Sequence, residues 1–541
     1  MDLSVIALAA LATIGRVLAL IVLSIVVGWM LGYLAIKSRR FENIYIAIVN
    51  ILESIPVLAF LPIVLLAFIS GLGGSLGVEV AADFLVFDAI VWNIWIGIYQ
   101  AFKTVPGHML EVADNYNLGV WGKFRNVYIP FSIPRVSSDI FPSFADALFY
   151  VMVSEVFAVG VTTFHVFGIG SLIVQATAQT DINTVLECLA VLAIGVVGIT
   201  IWFNNLSHSA IAKYGVNTAE EIKRPHWRLR LGRWQVGRRP GLPVYRYSLR
   251  QLRPALPGFH FTILHRRNNP RLDNAVKYSG IALAGAIGLI IAYKSVMLLL
   301  AVTPAQWNSY FDQTPAILYG MGVDYLRVFI VTGISFVVAM FLGYFLAVHH
   351  RAGIISLPVI QSLSAFPAPA YFPLVFAAIA PFLMHAIPAA TAELLVLFLC
   401  FVSTFYYVFF GFWVGVKSIP TEFWEIMQNY NMGFFAKMRR IIIPAILPYL
   451  VTGLSSTINS AWGGLAVGEY WPHIHGNQSL QVNTGMMKII SLNLASGDTG
   501  LAAWTSLLFA IVVGVYSIVF TRNLMDLARK KYVIEEGIYQ A

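Results

Sequence analysis

The chain has 541 residues, of which 58% are hydrophobic and 11% charged. A soluble domain carries about 25% charge, and a soluble fold of this length needs far more polar surface. The composition excludes a plain cytosolic enzyme and a disordered chain, and leaves an integral membrane protein.

About 20 mostly apolar residues cross a bilayer. In chain order, candidate spans lie at 17–36, 43–70, 85–103, 136–160 and 184–205, then at 277–302, 326–348, 355–381, 386–413, 447–470 and 500–521. Residues 1–15 are expected along the membrane surface, and no cationic stretch suggests a cleaved leader. The two cysteines, Cys188 and Cys400, sit in apolar runs without disulfide or metal-ligand spacing. His473 and His475 stand two apart with no third ligand in view, so neither a metal site nor a cofactor is expected.

The net charge of +9 is concentrated. Residues 207–276 carry 14 Lys and Arg against 3 Asp and Glu, while the rest of the chain sums to −2. Lys37, Arg39 and Arg40 follow the first span, His349, His350 and Arg351 the seventh, and Arg529, Lys530 and Lys531 the eleventh. Eleven spans put all of these on one side with the basic segment. Positive charge marks that side as cytoplasmic, with the N-terminus outside and the C-terminus inside. The basic-aromatic segment could meet nucleic acid, but anionic lipid headgroups suffice to explain it, and no nucleic-acid partner is expected.

The chain repeats itself. Shifted by 311, Arg16-Val17 falls on Arg327-Val328, and Leu31-Gly32-Tyr33 falls on Leu342-Gly343-Tyr344. Shifted by 314, residues 106–134 match 420–448 at 11 of 29 positions, and Glu155 falls on Glu469. Residues 1–206 therefore read as a first module of about five spans. Residues 207–276 form a cytoplasmic linker, and 277–541 a second module of about six spans. The modules are parallel repeats about an axis along the membrane normal.

The most similar stretch is polar and bounded by prolines. It holds Glu111, Asn115, Gly119, Lys123 and Pro130 in one copy, and Glu425, Asn429, Gly433, Lys437 and Pro444 in the other. Each copy reads as a short helix, a left-handed turn at Gly119 or Gly433, and a basic amphipathic helix ending at Ile-Pro. This pattern resembles the cytoplasmic "EAA" loop of ABC importer permeases, with a degenerate triplet but the Glu-to-Gly spacing of eight kept twice. The resemblance implies an all-α, polytopic type I importer fold, with two modules around one path. It also implies two ATPase subunits docked on these loops and an extracytoplasmic substrate-binding protein. The loop residues named above would couple the permease to the ATPases. No G-x-x-x-x-G-K-[ST] motif stands in the chain, so hydrolysis is expected from another polypeptide.

Trp462 and Glu469, and in the first module Glu155 with Gly168-Ile169-Gly170, resemble the nitrate, sulfonate, taurine and bicarbonate permeases. Glu155, Glu469 and Trp462 are then candidates for a gate or scaffold beside the path. Arg16 and Arg327 begin equivalent spans and read as interface anchors. Duplicated iron(III) or thiamine permeases are an alternative. An ion-coupled secondary transporter is another, although that class favours inverted repeats. An introduced cysteine within 207–276 should resist a membrane-impermeant thiol reagent on intact cells; efficient labelling would overturn the eleven-span topology.

Overall fold

The computed structural model describes residues 2–53, 68, 74–159, 162–214 and 302–516. The linker beyond residue 214 and the candidate span 277–302 lie outside the described residues, as does most of the second half of 43–70.

The first module begins with α1 (Leu3–Lys37), capped by Asp2, whose carboxylate accepts the Ser4 N–H. Residues 3–15 belong to this helix and bury Ile6, Ala9 and Ala10, so they do not lie along the surface as expected. Next come α2 (Arg39–Glu53), α3 (Gly74–Lys103) and α4 (Gly107–Asn115). A long helix follows, α5 (Val120–Ser154), and then strands β1 (Val156–Val159) and β2 (Thr162–His165). The module ends with α6 (Ile169–Ala178) and α7 (Ile182–Tyr214).

The second module repeats this order. Helix α8 (Pro304–Val348) opens with a capping box in which Thr303 and Gln306 exchange hydrogen bonds, and Pro304 occupies the first turn. The chain continues through α9 (His350–Ala365) and α10 (Ala368–Ala386), separated at Pro367 within the expected span 355–381, and through α11 (Thr391–Ser418) and α12 (Thr421–Asn429). Helices α13 (Phe434–Ala445) and α14 (Leu447–Gly468) meet at 85°. Strands β3 (Tyr470–His475) and β4 (Gln478–Gln481), then α15 (Met486–Ser496) and α16 (Thr499–Tyr516), complete the described chain.

Eight helices among the described residues are long and apolar enough to span a bilayer, or nine if the bent pair α13–α14 is one span. Their outward faces carry exposed Leu11, Val22, Ile194, Leu326, Phe382 and Ile511, an apolar surface suited to lipid rather than water. Inside each module the helices approach closely over small residues. A Cβ on Gly28 would stand 2.7 Å from Trp95, whose indole N–H donates to the Ser24 carbonyl. A Cβ on Gly453 would stand 3.0 Å from the Tyr407 carbonyl. Packing of this kind holds helices together in lipid, where no hydrophobic drive separates them from the solvent.

Two antiparallel hairpins were not expected from the sequence. β1 pairs with β2 through Val156 and His165, and β3 with β4 through Tyr470 and Gln481. Each follows directly on Glu155 or Glu469, at the end of a long helix.

Both proline-bearing helices also contain one π-turn at the same place. It covers Phe124–Tyr128 in the first module and Met438–Ile442 in the second. Ile129 N–H reaches the Phe124 carbonyl and Ile443 N–H the Met438 carbonyl, each just ahead of a proline. Proline has no N–H to give and crowds the carbonyl four residues back; a wider turn relieves that crowding.

Candidate functional site

The two polar loops form the same structure twice. Helix α4 ends in a Schellman motif: Leu118 N–H donates to the Ala113 carbonyl and Asn117 N–H to the Asp114 carbonyl. Helix α12 ends likewise, with Met432 N–H on the Met427 carbonyl and Asn431 N–H on the Gln428 carbonyl. The left-handed residues are Asn117 (φ 52°) and Asn431 (φ 45°). This corrects the expectation that Gly119 and Gly433 make the turn. Both glycines are extended (φ −64° and −69°) and cap the next helix, where their carbonyls accept from Lys123 and Lys437 N–H. Asparagine tolerates the left-handed region because its short side chain can bond locally.

Beneath each loop, a tyrosine at the end of the module's first long helix holds the turn down. Tyr33 donates from its hydroxyl to the Val120 carbonyl and packs against Phe124. Tyr344, its repeat partner, packs against Trp424 and Phe434. Ala113 and Met427 anchor the short helices inward, at 3% and 1% exposure. Glu111, Asn115, Glu425 and Asn429 face outward, beside exposed Val112, Tyr116 and Trp121 or Ile426, Tyr430 and Phe435. Lys123 forms an ion pair with Asp114 within its own loop. Pro130 and Pro444 occupy the turn just after each π-turn. The result is a pair of rigid platforms with aromatic and aliphatic side chains displayed among polar ones, the composition of a docking surface.

At the opposite end of the long helices, the chain builds two buried polar networks. Arg16 Nη1 stands 3.1 Å from Glu155 Oε1, and Arg327 Nη1 stands 2.9 Å from Glu469 Oε1. These arginines are therefore structural partners of the two glutamates. Arg16 also meets Glu79 and Asp83, while Arg327 meets Asp324 and Glu393. Both glutamates accept from the first turn of the following short helix, Glu155 from Gly170 N–H and Glu469 from Lys488 N–H. Thr13 completes the first network by donating to Glu155 and accepting from Ile169 N–H. Its repeat counterpart Asp324 accepts from Met486 N–H. The helix N-terminus supplies free N–H groups and a favourable field for these carboxylates.

Gly168 and Gly485 let the carboxylates come this close. A Cβ would stand 1.9 Å from Glu155 Oε1 in one module and 2.0 Å from Glu469 Oε2 in the other. Trp462 lies elsewhere, 1% exposed in the core of the second module, edge-on to Tyr325 and Phe509.

Between the modules lies a cavity that sequence reasoning missed. Glu53, Asn93, Asp146 and Tyr150 line it from one side, and Tyr407, Asn459 and Ser460 from the other. Tyr407 donates its hydroxyl to Asp146 Oδ1 across the seam, and Asn93 Nδ2 donates to Asp146 Oδ2 at 3.2 Å. The sequence signal was that Asp146 is an acid within the expected span 136–160, which also holds Asp139 and Glu155.

Residues 24–210 and 337–531 each match the family model of the binding-protein-dependent transport system inner membrane component. The chain belongs to this family and carries its module twice, which makes it a multi-pass transport permease. It is 27% identical over 189 residues to the bicarbonate transport system permease protein CmpB of Synechocystis sp., covering 35% of this chain and 62% of that protein. It is 24% identical over 189 residues to CmpB of Synechococcus elongatus, covering 35% and 63%. It is 26% identical over 174 residues to the nitrate import permease protein NrtB of Synechocystis sp., covering 32% and 58%. The chain thus spans about three fifths of the length of these relatives.

Two outcomes follow. Asn117→Val or Asn431→Val should destabilise its loop by about 1–2 kcal/mol, because a β-branched residue resists a positive φ, whereas Asn→Gly should be tolerated. Gly433→Val should cost little, since nothing lies within 4 Å of its Cβ direction. Protease resistance of the loop in the purified protein reads both. Separately, Arg327→Leu should destabilise by about 3–5 kcal/mol, because it leaves carboxylates buried and unpaired. Arg16→Leu should cost less, because Glu79 and Asp83 are half exposed and water can solvate them. Thermal unfolding in detergent checks the order.

Proposed function

We propose that the chain is the fused permease subunit of an ATP-driven importer, in which both modules border one path through the cytoplasmic membrane. The carrying observation is the pair of loop platforms, α4 and α12, built with the same cap, the same tyrosine brace and the same exposed side chains. One platform would dock each of two ATPase subunits, separate chains that supply hydrolysis. Glu111, Asn115, Gly119, Lys123 and Pro130, with Glu425, Asn429, Gly433, Lys437 and Pro444, form the coupling elements. A coupling element must transmit a push without bending. The N-cap proline, Pro106 or Pro420, and the Schellman cap give each short helix fixed directions at its two ends.

In this reading the platforms, the linker and the C-terminus face the cytoplasm, and the N-terminus faces outside. The Arg–Glu networks then stand at the outer end, where an extracytoplasmic binding protein delivers the solute. Glu155 and Glu469 act as scaffold groups that clamp the short helices α6 and α15, and Trp462 stiffens the second module behind them. The solute is a small oxyanion of the nitrate, sulfonate or bicarbonate type. The similarity to CmpB and NrtB supports that class, as does the shared Trp–Glu–Gly pattern.

The test is ATP hydrolysis by the purified complex, with and without loaded binding protein. Asn117→Val and Asn431→Val together should cut the stimulation about ten-fold, the factor that 1.4 kcal/mol supplies, with either single variant milder. Full stimulation and full co-purification of the ATPase in the double variant would remove these loops from coupling. Direct binding to the cognate binding protein tests the solute, and a preference for iron(III), thiamine or a neutral sugar would overturn the oxyanion class.

A further inference from the structure

The seam between the modules is asymmetric in a way that the repeat does not require. Asp146 and Ser460 occupy the same position in the two copies, 314 apart, and so do Asn93 and Tyr407. These four side chains meet at one cavity. The first module contributes carboxylates, Glu53 and Asp146, whereas the second contributes hydroxyls and an amide from Tyr407, Ser456, Asn459 and Ser460. No Lys, Arg or His lines the cavity among the described residues. A fused permease can vary one copy alone, and here the difference falls where the copies touch.

Asp146 is also deep. It lies nine residues before Glu155 on one continuous helix, about 14 Å along the axis at 1.5 Å per residue. In a hydrocarbon core about 30 Å thick that is near the middle. An acid at that depth normally faces a polar path or partner. Asp146 has two partners, one on each side of the seam: Asn93 of its own module and Tyr407 of the other. Close packing surrounds the bond. Tyr150 reaches across to Gly463, where a Cβ would stand 2.7 Å from its hydroxyl.

We propose that the Tyr407–Asp146 hydrogen bond is the latch that closes the path at rest. This inference rests on the reading of the chain as a permease with its path between the modules. The latch is a single bond between helices α11 and α5, so moving the modules apart must break it.

Tyr407→Phe removes the bond and little else, whereas Asp146→Leu removes the acceptor of both Tyr407 and Asn93. The full-length chain in liposomes, without ATP, is loaded with nitrate or with urea, a neutral solute of similar planar shape, and efflux is followed. Tyr407→Phe should raise the leak of both about ten-fold, the scale of losing one strong hydrogen bond. Asp146→Leu should raise both leaks at least as far. Wild-type efflux of urea and nitrate from Tyr407→Phe would overturn the latch. Efflux without ATP is independent of coupling. A wild-type complex that hydrolyses ATP without moving any oxyanion would therefore sink the importer reading for that solute, and leave the latch result standing.

Discussion

A tightly packed helical core has no water, so every charge and backbone group buried there must find its partner within the protein. The rest of this structure follows from that constraint. Arg327 is 4% exposed and meets Asp324, Glu393 and Glu469. The carboxylates in turn take N–H groups from the start of α15. Neither an arginine nor a carboxylate would be tolerable alone, and a helix N-terminus supplies donors without another charged side chain. The network joins α8, the start of α11, the end of α14 and the short helix α15 into one unit. Its buried glutamate also starts the hairpin. Val166 and Val482 N–H donate to the Glu155 and Glu469 carbonyls, so the strands return to the residue that anchors them.

Duplication shows which parts of this solution are general. The arginine, the glutamate, the glycine that makes room and the tyrosine under the loop are common to both modules. The π-turn falls at the same five positions in each. Around this frame the copies differ. Thr13 stands opposite Asp324, and Leu148 opposite Trp462. A hydroxyl that both donates and accepts performs locally what a carboxylate does with a second arginine bond. Each network holds one arginine and three carboxylates, but the second is more deeply enclosed than the first. The long helix also runs on through Pro134 in one copy and breaks by 85° ahead of Pro448 in the other, for which the residues at the break provide no physical account.

The loop platforms and the networks sit at opposite ends of the same helices. A long helix packed over glycines is stiff, and its capped ends have little freedom. Movement imposed on one end is therefore carried to the other as a rigid-body displacement rather than absorbed. That arrangement suits a permease whose energy source and solute entry lie on different sides of the membrane.

Composition alone established a polytopic helical membrane protein, and self-similarity alone established two copies of one module and the pair of polar loops. Those signals are local or periodic, and hydrophobicity over about 20 residues is decisive in a bilayer. The loop was legible down to its Glu, Gly and Pro frame, but the left-handed residue was assigned to glycine. In both copies Asn117 and Asn431 take it, two residues earlier, because the turn closes directly on the end of the short helix. What pairs with what was decided only by tertiary structure. Arg16 and Glu155 are 139 residues apart, and Asp146 and Tyr407 are 261 apart. Nothing in either neighbourhood announces its partner. The hairpins escaped notice because they are four to six residues long and owe their pairing to the glutamate that precedes them. The seam was invisible for a stronger reason: the sequence shows two copies of one module, and only their docking brings an acid from one against a tyrosine of the other.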